Sequence, residues 1–187
     1  INAVCKEEGI DPSIFNIVHN ESELKSIAQA VDIINAGEGD ILMKGLCSTD
    51  KYMRAILKKE GGLLPPKAVL SHLSVLKNEN YHKFIILGDM AVIPAPDLKQ
   101  KEAITNYLVK AAKALGIETP KVAFIAATEQ MLPGMQACVD AAILSKMADR
   151  GQIKGCVADG PLALDVAISQ EAVAIKKLKS PVAGDAD

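Results

Sequence analysis

Hydrophobic residues along this chain follow two alternating patterns. Short apolar runs rich in β-branched residues have the length of strands, and they alternate with longer stretches in which apolar residues recur at helical spacing. Regular alternation of strands and helices predicts an α/β protein. The predicted strands cover residues 14–19, 41–44, 69–76, 84–87, 122–127 and 156–158.

Two of these strands, 84–87 and 122–127, are almost continuously apolar. Strands of this kind are covered on both faces, as in the mostly parallel sheet of a three-layer αβα sandwich. Two intervening helices each carry an apolar stripe that we expect to face the sheet. One stripe contains Ile104, Leu108, Ala111, Ala112 and Leu115 before Gly116, and the other contains Met135, Val139, Ala142, Ile143 and Met147 before Gly151.

The strongest break in the chain is the segment 61–66, which reads GGLLPP. Paired glycines and paired prolines cannot continue a helix or a central strand. We therefore predict two domains. Residues 1–63 form part of a first α/β domain, and residues 64–187 form a second.

Composition narrows the choice of partner and compartment. The net charge of −2 comes from interspersed acidic and basic residues, which argues against a nucleic-acid partner. No run of eighteen apolar residues or secretory segment is present, so we expect a cytoplasmic protein without membrane attachment. The four cysteines match no metal-binding spacing, and we expect small buried thiols and no metal site.

The first candidate site is the loop that follows the predicted strand 41–44. Gly45 permits close approach of a ligand, Ser48 and Thr49 offer hydroxyl groups, and the helix that begins here offers free backbone N–H groups. Arg54, one of only two arginines in the chain, lies one turn further and could hold phosphate oxygens. The alternative is that Ser48 or Thr49 caps the helix while Arg54 forms a surface ion pair.

Ser71, His72 and Asp89 form a second set of candidates. Asp89 follows strand 84–87, and open α/β sheets bind ligands beyond the carboxyl ends of their strands. Ser71 and His72 interrupt the apolar strand 69–76, and their side chains could point into the same cleft. The alternatives are a hydrogen-bonded core histidine and a turn carboxylate.

The third candidate is the Asp159-Gly160-Pro161 segment, which we predict to turn a strand end into a helix start. Free N–H groups and the helix dipole at such a junction favour an anion, so Asp159 and Gly160 are candidates for contact with a charged substrate. Asp165 would then lie about one turn inside the helix. The alternative for Asp159 is a structural cap, because a carboxylate repels phosphate.

Several blocks of the sequence point together to one enzyme family. They are Leu42-Met43-Lys44-Gly45, Ser71-His72 and residues 89–101, 140–151, 157–165 and 181–187. In their identity and order these blocks resemble the phosphate acetyl/butyryl transferase family, on its butyryl side. The resemblance implies an isopropylmalate-dehydrogenase-like architecture, with two domains around a cleft.

The same resemblance implies an acyltransferase that moves a short acyl group, butyryl or similar, between coenzyme A and inorganic phosphate. It implies no metal or covalent cofactor, a homo-oligomer, and a phosphate or coenzyme A site at Arg54. The family's catalytic Ser-Arg pair and a following Asp lie beyond the 181–187 block. We therefore expect an internal fragment whose catalytic residues lie downstream of Asp187, and which is inactive alone.

Two positions depart from the family pattern, because Ile93 and Val166 stand where relatives usually carry Asn. These departures leave open a second class of function, a noncatalytic domain that senses acyl-coenzyme A or acyl phosphate. A decarboxylating dehydrogenase of similar fold is the third possibility. It is the least favoured, since the sequence has no aspartate pair at metal-binding spacing and no nicotinamide-binding signature.

Overall fold

The computed structural model describes residues 1–187, and the chain divides into two compact units. Unit 1 is Ile1–Ala68 and unit 2 is Val69–Asp187. The division lies within a few residues of the GGLLPP segment. The assignment of residues 1–63 and 64–187 to two domains of a larger fold stays a prediction.

Unit 1 contains helices and no strand. Its elements are α1 (Asn2–Glu8), a 3₁₀ turn (Pro12–Ile14), α2 (Glu23–Asn35) and α3 (Thr49–Ile56). Helix α2 begins after Ser22, whose hydroxyl oxygen accepts a hydrogen bond from the N–H of Lys25, as a cap residue does. Ile27 and Val31 lie one turn apart on α2 and are its buried residues.

The two strands predicted in unit 1 are absent. Residues 14–19 begin at the end of the 3₁₀ turn, where Pro12 fixes the backbone, and continue as irregular chain. Residues 41–44 are also irregular, and the side chains of Ile41 and Met43 are 82% and 85% exposed. A strand needs a neighbour to satisfy its backbone groups, and no strand of unit 1 supplies one. Both strand predictions are therefore wrong.

Unit 2 contains all four strands of the chain. They are β1 (Leu73–Lys77), β2 (Phe84–Gly88), β3 (Lys121–Ile125) and β4 (Val157–Leu162). The helices are α4 (Leu98–Ala114), α5 (Gln136–Asp149), α6 (Leu164–Ile168) and α7 (Gln170–Lys176). The predicted α/β class is confirmed.

The strands pair as two separate two-stranded sheets. β1 and β2 are antiparallel, with Leu73 opposite Gly88, whereas β3 and β4 are parallel, with Lys121 opposite Val157. The segment 78–83 between β1 and β2 is too short for the crossover that a parallel pair requires. The expectation of a mostly parallel sheet is therefore wrong for this chain, because one of its two pairs is antiparallel.

Strand β4 continues through Asp159-Gly160-Pro161, and α6 begins only at Leu164. The predicted strand-to-helix turn at these residues is therefore wrong. The ladder shifts register between Ala123 and Ile125 of β3, and such an irregularity accommodates a proline that has no N–H to donate. The helix start thus lies beyond the motif that was expected to form it.

The core of unit 2 lies around the end of β4, helix α6 and the last residues of the chain. Its buried members are Leu162, Val166, Ala167, Val182, Ala183 and Ala186. Helix α5 packs against β4 through Cys138, Ala141 and Leu144, whereas Ile143 of the predicted stripe is 40% exposed. The face of α5 was therefore predicted wrongly, since Cys138, Ala141 and Leu144 are its buried apolar residues and the predicted stripe is not.

Candidate functional site

The candidates in unit 1 lie at the start of α3. Ser48 is the N-cap residue, but its side chain makes no capping bond, and its N–H donates to Glu23 Oε1 at 2.7 Å. Thr49 is the first helical residue, and Gly45 lies in the exposed loop before it. The Glu23 carboxylate, which also pairs with Lys51, thus occupies the helix start at which an anion would bind.

Arg54 points along the surface of α3. Its Nη2 lies 3.1 Å from Asp50 Oδ2, and its Nε donates to Asp50 Oδ1 at 3.1 Å. Both side chains are largely exposed. This is the surface ion pair that the alternative interpretation describes, and substrate binding by Arg54 stays a prediction.

Ser71, His72 and Asp89 come together in unit 2. The Asp89 carboxylate accepts hydrogen bonds from the N–H groups of His72 at 2.9 Å, Ala91 at 2.8 Å and Val92 at 2.8 Å. The nearby Ser71 side chain also favours the ionised form of this carboxylate. Burial opposes ionisation of Asp89, but these hydrogen bonds outweigh it and hold the pKa of this carboxyl well below its usual range.

The register of the β1–β2 hairpin explains why Ser71, His72 and Asp89 lie close together. Leu73 lies opposite Gly88, so the residue before β1 and the residue after β2 are neighbours at the same end of the hairpin. Asp89 therefore ties the entry into β1 to the chain that leaves β2. A carboxylate with such a low pKa is a weak base, so this arrangement suits a positioning role and not proton abstraction.

Asp159 and Gly160 lie inside β4 and away from any helix start. Asp159 Oδ1 accepts a hydrogen bond from the N–H of Gly160 at 2.8 Å. A Cβ at Gly160 would lie 2.7 Å from both Cβ and the carbonyl oxygen of Phe124, so only glycine fits there. The geometry gives Gly160 a packing role, and substrate contact by either residue stays a prediction.

The start of α6 is held by one acidic residue from elsewhere in unit 2. Glu129 Oε1 accepts from the N–H of Ala163 at 3.3 Å and from Lys176 Nζ at 2.9 Å. Lys176 also approaches Asp165 Oδ2 at 3.3 Å, and this hydrogen-bonded partner lowers the pKa of Asp165. Val166, which departs from the family pattern, is fully buried in the core. This helix start therefore has its own anionic partner.

A partly buried ion pair between α4 and α5 was not predicted from the sequence. Lys101 Nζ lies 2.6 Å from Asp140 Oδ2, and Gln136 Nε2 donates to Asp140 Oδ1 at 2.8 Å. Burial alone would raise the pKa of Asp140. The hydrogen bonds from Lys101 and Gln136 have a larger, opposite effect, so the pKa of this carboxyl is lowered overall. Both residues of the pair lie in family blocks, 89–101 and 140–151. That location was the one signal in the sequence that could have identified them.

A second unpredicted cluster surrounds Asp185. Lys121 Nζ lies 2.7 Å, Lys83 Nζ 3.1 Å and His82 Nε2 2.9 Å from its carboxylate oxygens. The hydrogen bond from Lys121, followed by those from Lys83 and His82, lowers the pKa of Asp185 to about 2 in spite of partial burial. Burial, followed by the negative charges of Asp185 and Asp187, raises the pKa of Tyr81 to about 12.

The cysteines and the other potential metal ligands form no further candidate site. The four cysteines are free, with Cys5 and Cys138 buried and Cys47 and Cys156 partly exposed. No group of three or more His, Cys, Asp or Glu side chains is placed to hold a metal ion. None of the helices has the length and apolar character needed to span a membrane.

Comparison with known proteins identifies relatives along the whole chain. A family model described as phosphate acetyl/butaryl transferase matches residues 2–187. The phosphate butyryltransferase of Clostridium acetobutylicum is 46% identical over 187 residues, which are 100% of this chain and 62% of that protein. The phosphate acetyltransferase of Thermotoga maritima is 42% identical over 158 residues, which are 84% of this chain and 53% of that protein.

A solved structure shares the fold. The branched-chain phosphotransacylase of Enterococcus faecalis V583 superposes with a TM-score of 0.85 at 32% identity, and the match covers 95% of this chain and 63% of that chain. The chain therefore spans less than two thirds of the length of these relatives.

Proposed function

Because the chain belongs to the phosphate acetyl/butaryl transferase family, we propose that the longer protein containing it transfers a short-chain acyl group between coenzyme A and inorganic phosphate. The observation that carries the proposal is the match of all 187 residues to a phosphate butyryltransferase at 46% identity. The acyl group is butyryl or a similar short chain. Coenzyme A and phosphate are substrates, and no metal or covalent cofactor takes part.

The proposed reaction conserves atoms without any further reactant. A carboxylate base takes the proton of the coenzyme A thiol, the sulfur bonds to the carbonyl carbon of the acyl phosphate, and the bond from that carbon to the phosphate oxygen breaks. An arginine and hydrogen-bond donors stabilise the charge that develops on the carbonyl oxygen. These catalytic groups lie downstream of Asp187, and the reverse reaction makes the acyl phosphate.

Within residues 1–187 the proposed roles concern binding and positioning. Asp89 orders the backbone around Ser71 and His72, which face the substrate. Gly45, Ser48, Thr49 and Arg54 bind phosphate oxygens after Arg54 leaves Asp50, and Asp159 and Gly160 form part of the cleft wall. The hydrogen bonds of Asp89 support the first role, whereas the surface pairing of Arg54 means that its binding role requires a rearrangement.

The larger architecture belongs to the same proposal. In the longer protein the sheets form a three-layer αβα sandwich of isopropylmalate-dehydrogenase-like architecture, with two domains around a cleft. The TM-score of 0.85 to a phosphotransacylase of greater length supports this arrangement. The protein is a cytoplasmic homo-oligomer that acts on small molecules and not on nucleic acid.

The experiment is an assay of the longer protein for phosphate-dependent release of coenzyme A from acetyl-, propionyl- and butyryl-coenzyme A. We expect turnover that requires phosphate, with short chains such as butyryl preferred. Pocket shape sets this preference, because one methylene contributes only about 1–3 kcal/mol to discrimination.

Val166 favours a second candidate, because its burial leaves no polar group where relatives carry Asn. In that case the protein senses acyl-coenzyme A without turning it over. Saturable binding of butyryl-coenzyme A together with inactivity toward all three thioesters would favour this sensor and contradict the transferase.

A further inference from the structure

Strands β2 and β3 are neighbours that do not pair. Lys83 comes directly before β2, and its Nζ lies 3.1 Å from Asp187 Oδ1. Lys121 is the first residue of β3, and its N–H donates to Asp187 Oδ2 at 2.8 Å. The two strands therefore begin on either side of Asp187. Each has one partner only, since β2 pairs with β1 and β3 pairs with β4. An edge of each strand is thus left without a ladder.

Alternate residues of β3 face its two edges. Pro120 O accepts from the N–H of Val157 at 3.0 Å, and the N–H of Ala126 donates to Leu162 O at 2.9 Å, so the even-numbered residues bond to β4. The odd-numbered residues Lys121, Ala123 and Ile125 present their backbone groups to the other edge, which no strand covers. These backbone N–H and C=O groups belong to an apolar strand, and buried backbone groups need hydrogen-bond partners. A neighbouring strand would supply them.

The uncovered edge of β3 already makes one hydrogen bond of the kind found between paired strands. The N–H of Asp187 donates to Lys121 O at 3.0 Å, which is the bond that a parallel neighbour of β3 would make at its start. Lys83, Lys121 and Asp185 fix this end of the chain through ion pairs. The position and direction of the backbone at Asp187 are therefore set for a strand beside β3.

Two cavities occupy the space between β2 and β3. One of about 250 Å³ lies toward α4 and α5, and one of about 70 Å³ lies toward α6. Both are lined by Ile86 and Leu87 of β2 and by Ala123 and Ile125 of β3. Side chains from a strand between β2 and β3 would point alternately into the two cavities.

We propose that the slot between β2 and β3 holds a further β-strand, parallel to β3 and formed by residues that follow Asp187 in the longer protein. The strand joins the two sheets into one. It runs from the Asp185 cluster toward the end of β2, so it delivers the residues after it to the edge where Asp89 holds Ser71 and His72. This inference shares one premise with the proposed function, namely that residues 1–187 belong to a longer protein.

Residue-resolved amide hydrogen exchange tests the slot without reference to activity. In the chain that ends at Asp187, the N–H groups of Ala123 and Ile125 should exchange fast, whereas those of Val122 and Ala126, which face β4, should be protected. In the longer protein, exchange at Ala123 and Ile125 should slow by on the order of a hundredfold or more. Equal exchange at these two amides in both proteins would overturn the proposal, and so would a native protein with an intact mass of 19.8 kDa.

A pair of proline substitutions tests the inserted strand independently. Ala123→Pro removes an N–H that faces the slot, and Val122→Pro removes one that bonds to β4. We expect Val122→Pro to lower the denaturation midpoint of both proteins, and Ala123→Pro to lower that of the longer protein much more than that of the chain ending at Asp187. An equal effect of Ala123→Pro in the two proteins would contradict the inserted strand. Failure of acyl transfer with normal protection of Ala123 would instead contradict the proposed function alone.

Discussion

The two units of the chain hold their candidate site residues in different ways. In unit 2, Asp89 is fixed by three backbone N–H groups, and Gly160 is fixed by close packing against Phe124. In unit 1, Gly45 lies in an exposed loop and Arg54 pairs with Asp50 on the surface. A site that binds substrate precisely needs residues held by their surroundings. Unit 2 therefore offers a preorganised edge, whereas unit 1 offers groups that must rearrange.

The largest difference between the units should appear in their apolar residues. Leu162 of unit 2 is 1% exposed, whereas Leu46 of unit 1 is fully exposed. Leu162→Ala should reduce the free energy of unfolding by about 2–5 kcal/mol, because it opens a cavity in the core. The same change at Leu46 should cost less than about 0.5 kcal/mol. Urea denaturation of both variants measures the difference, and similar losses would show that the units do not differ in this way.

Two glycines provide the next comparison. Gly160→Ala should destabilise the chain by about 1–3 kcal/mol, since its Cβ would lie 2.7 Å from the Phe124 backbone oxygen. Gly45→Ala should change stability by less than about 0.5 kcal/mol, because no atom lies within 4 Å of the added carbon. Thermal denaturation distinguishes the two variants. A neutral Gly160→Ala would mean that β3 and β4 can separate without cost.

The charged candidates should differ by a smaller amount. Asp89→Asn replaces a carboxylate that accepts several hydrogen bonds with an amide that has one acceptor oxygen, and should cost about 1–2 kcal/mol. Arg54→Gln breaks only the exposed pair with Asp50, and should cost less than about 0.5 kcal/mol. Urea midpoints at neutral pH check both values, with 1 M salt as a control that should weaken only the effect of Arg54→Gln. A larger loss from Arg54→Gln than from Asp89→Asn would reverse the contrast between the units.

The smallest effect concerns pH and lies in unit 2. The folded-state pKa of Asp185 is about 2, below the value near 4 of an unfolded aspartate, so its stabilising contribution is present above about pH 4. That contribution, about 1 kcal/mol after allowance for solvent screening, is lost as the pH falls from about 4 toward about 2. Asp185→Asn should therefore flatten part of the stability profile between pH 4.5 and 2.5. An unchanged profile would show that the ion pairs around Asp185 add nothing.

The sequence predicted well those elements whose own residues determine them. Strands β2 and β3 were located within a residue or two, because apolar runs covered on both faces are visible in one segment. The strand at 41–44 was wrong because a strand depends on a partner that the pattern does not reveal. The turn at Asp159-Gly160-Pro161 was wrong because the contact with Phe124, which requires the glycine, is distant in sequence.

The candidate site shows the same limit. Asp89 was identified by its position after a strand, but its bond to the N–H of His72 depends on the register of an antiparallel hairpin that was not predicted. The pair between Lys101 and Asp140 joins residues on two different helices, and spacing along the chain could not reveal it. Local pattern therefore identified candidate residues, and tertiary pairing determined which of them meet.

Acyl transfer in this family member is tested most directly by comparing the longer protein with the chain that ends at Asp187. Both are assayed for phosphate-dependent release of coenzyme A from butyryl-coenzyme A. We expect turnover by the longer protein and none by residues 1–187, which contain Ser71, His72 and Asp89 but not the expected catalytic groups. Turnover by the shorter chain, or inactivity of the longer one, would contradict the proposed acyl transfer.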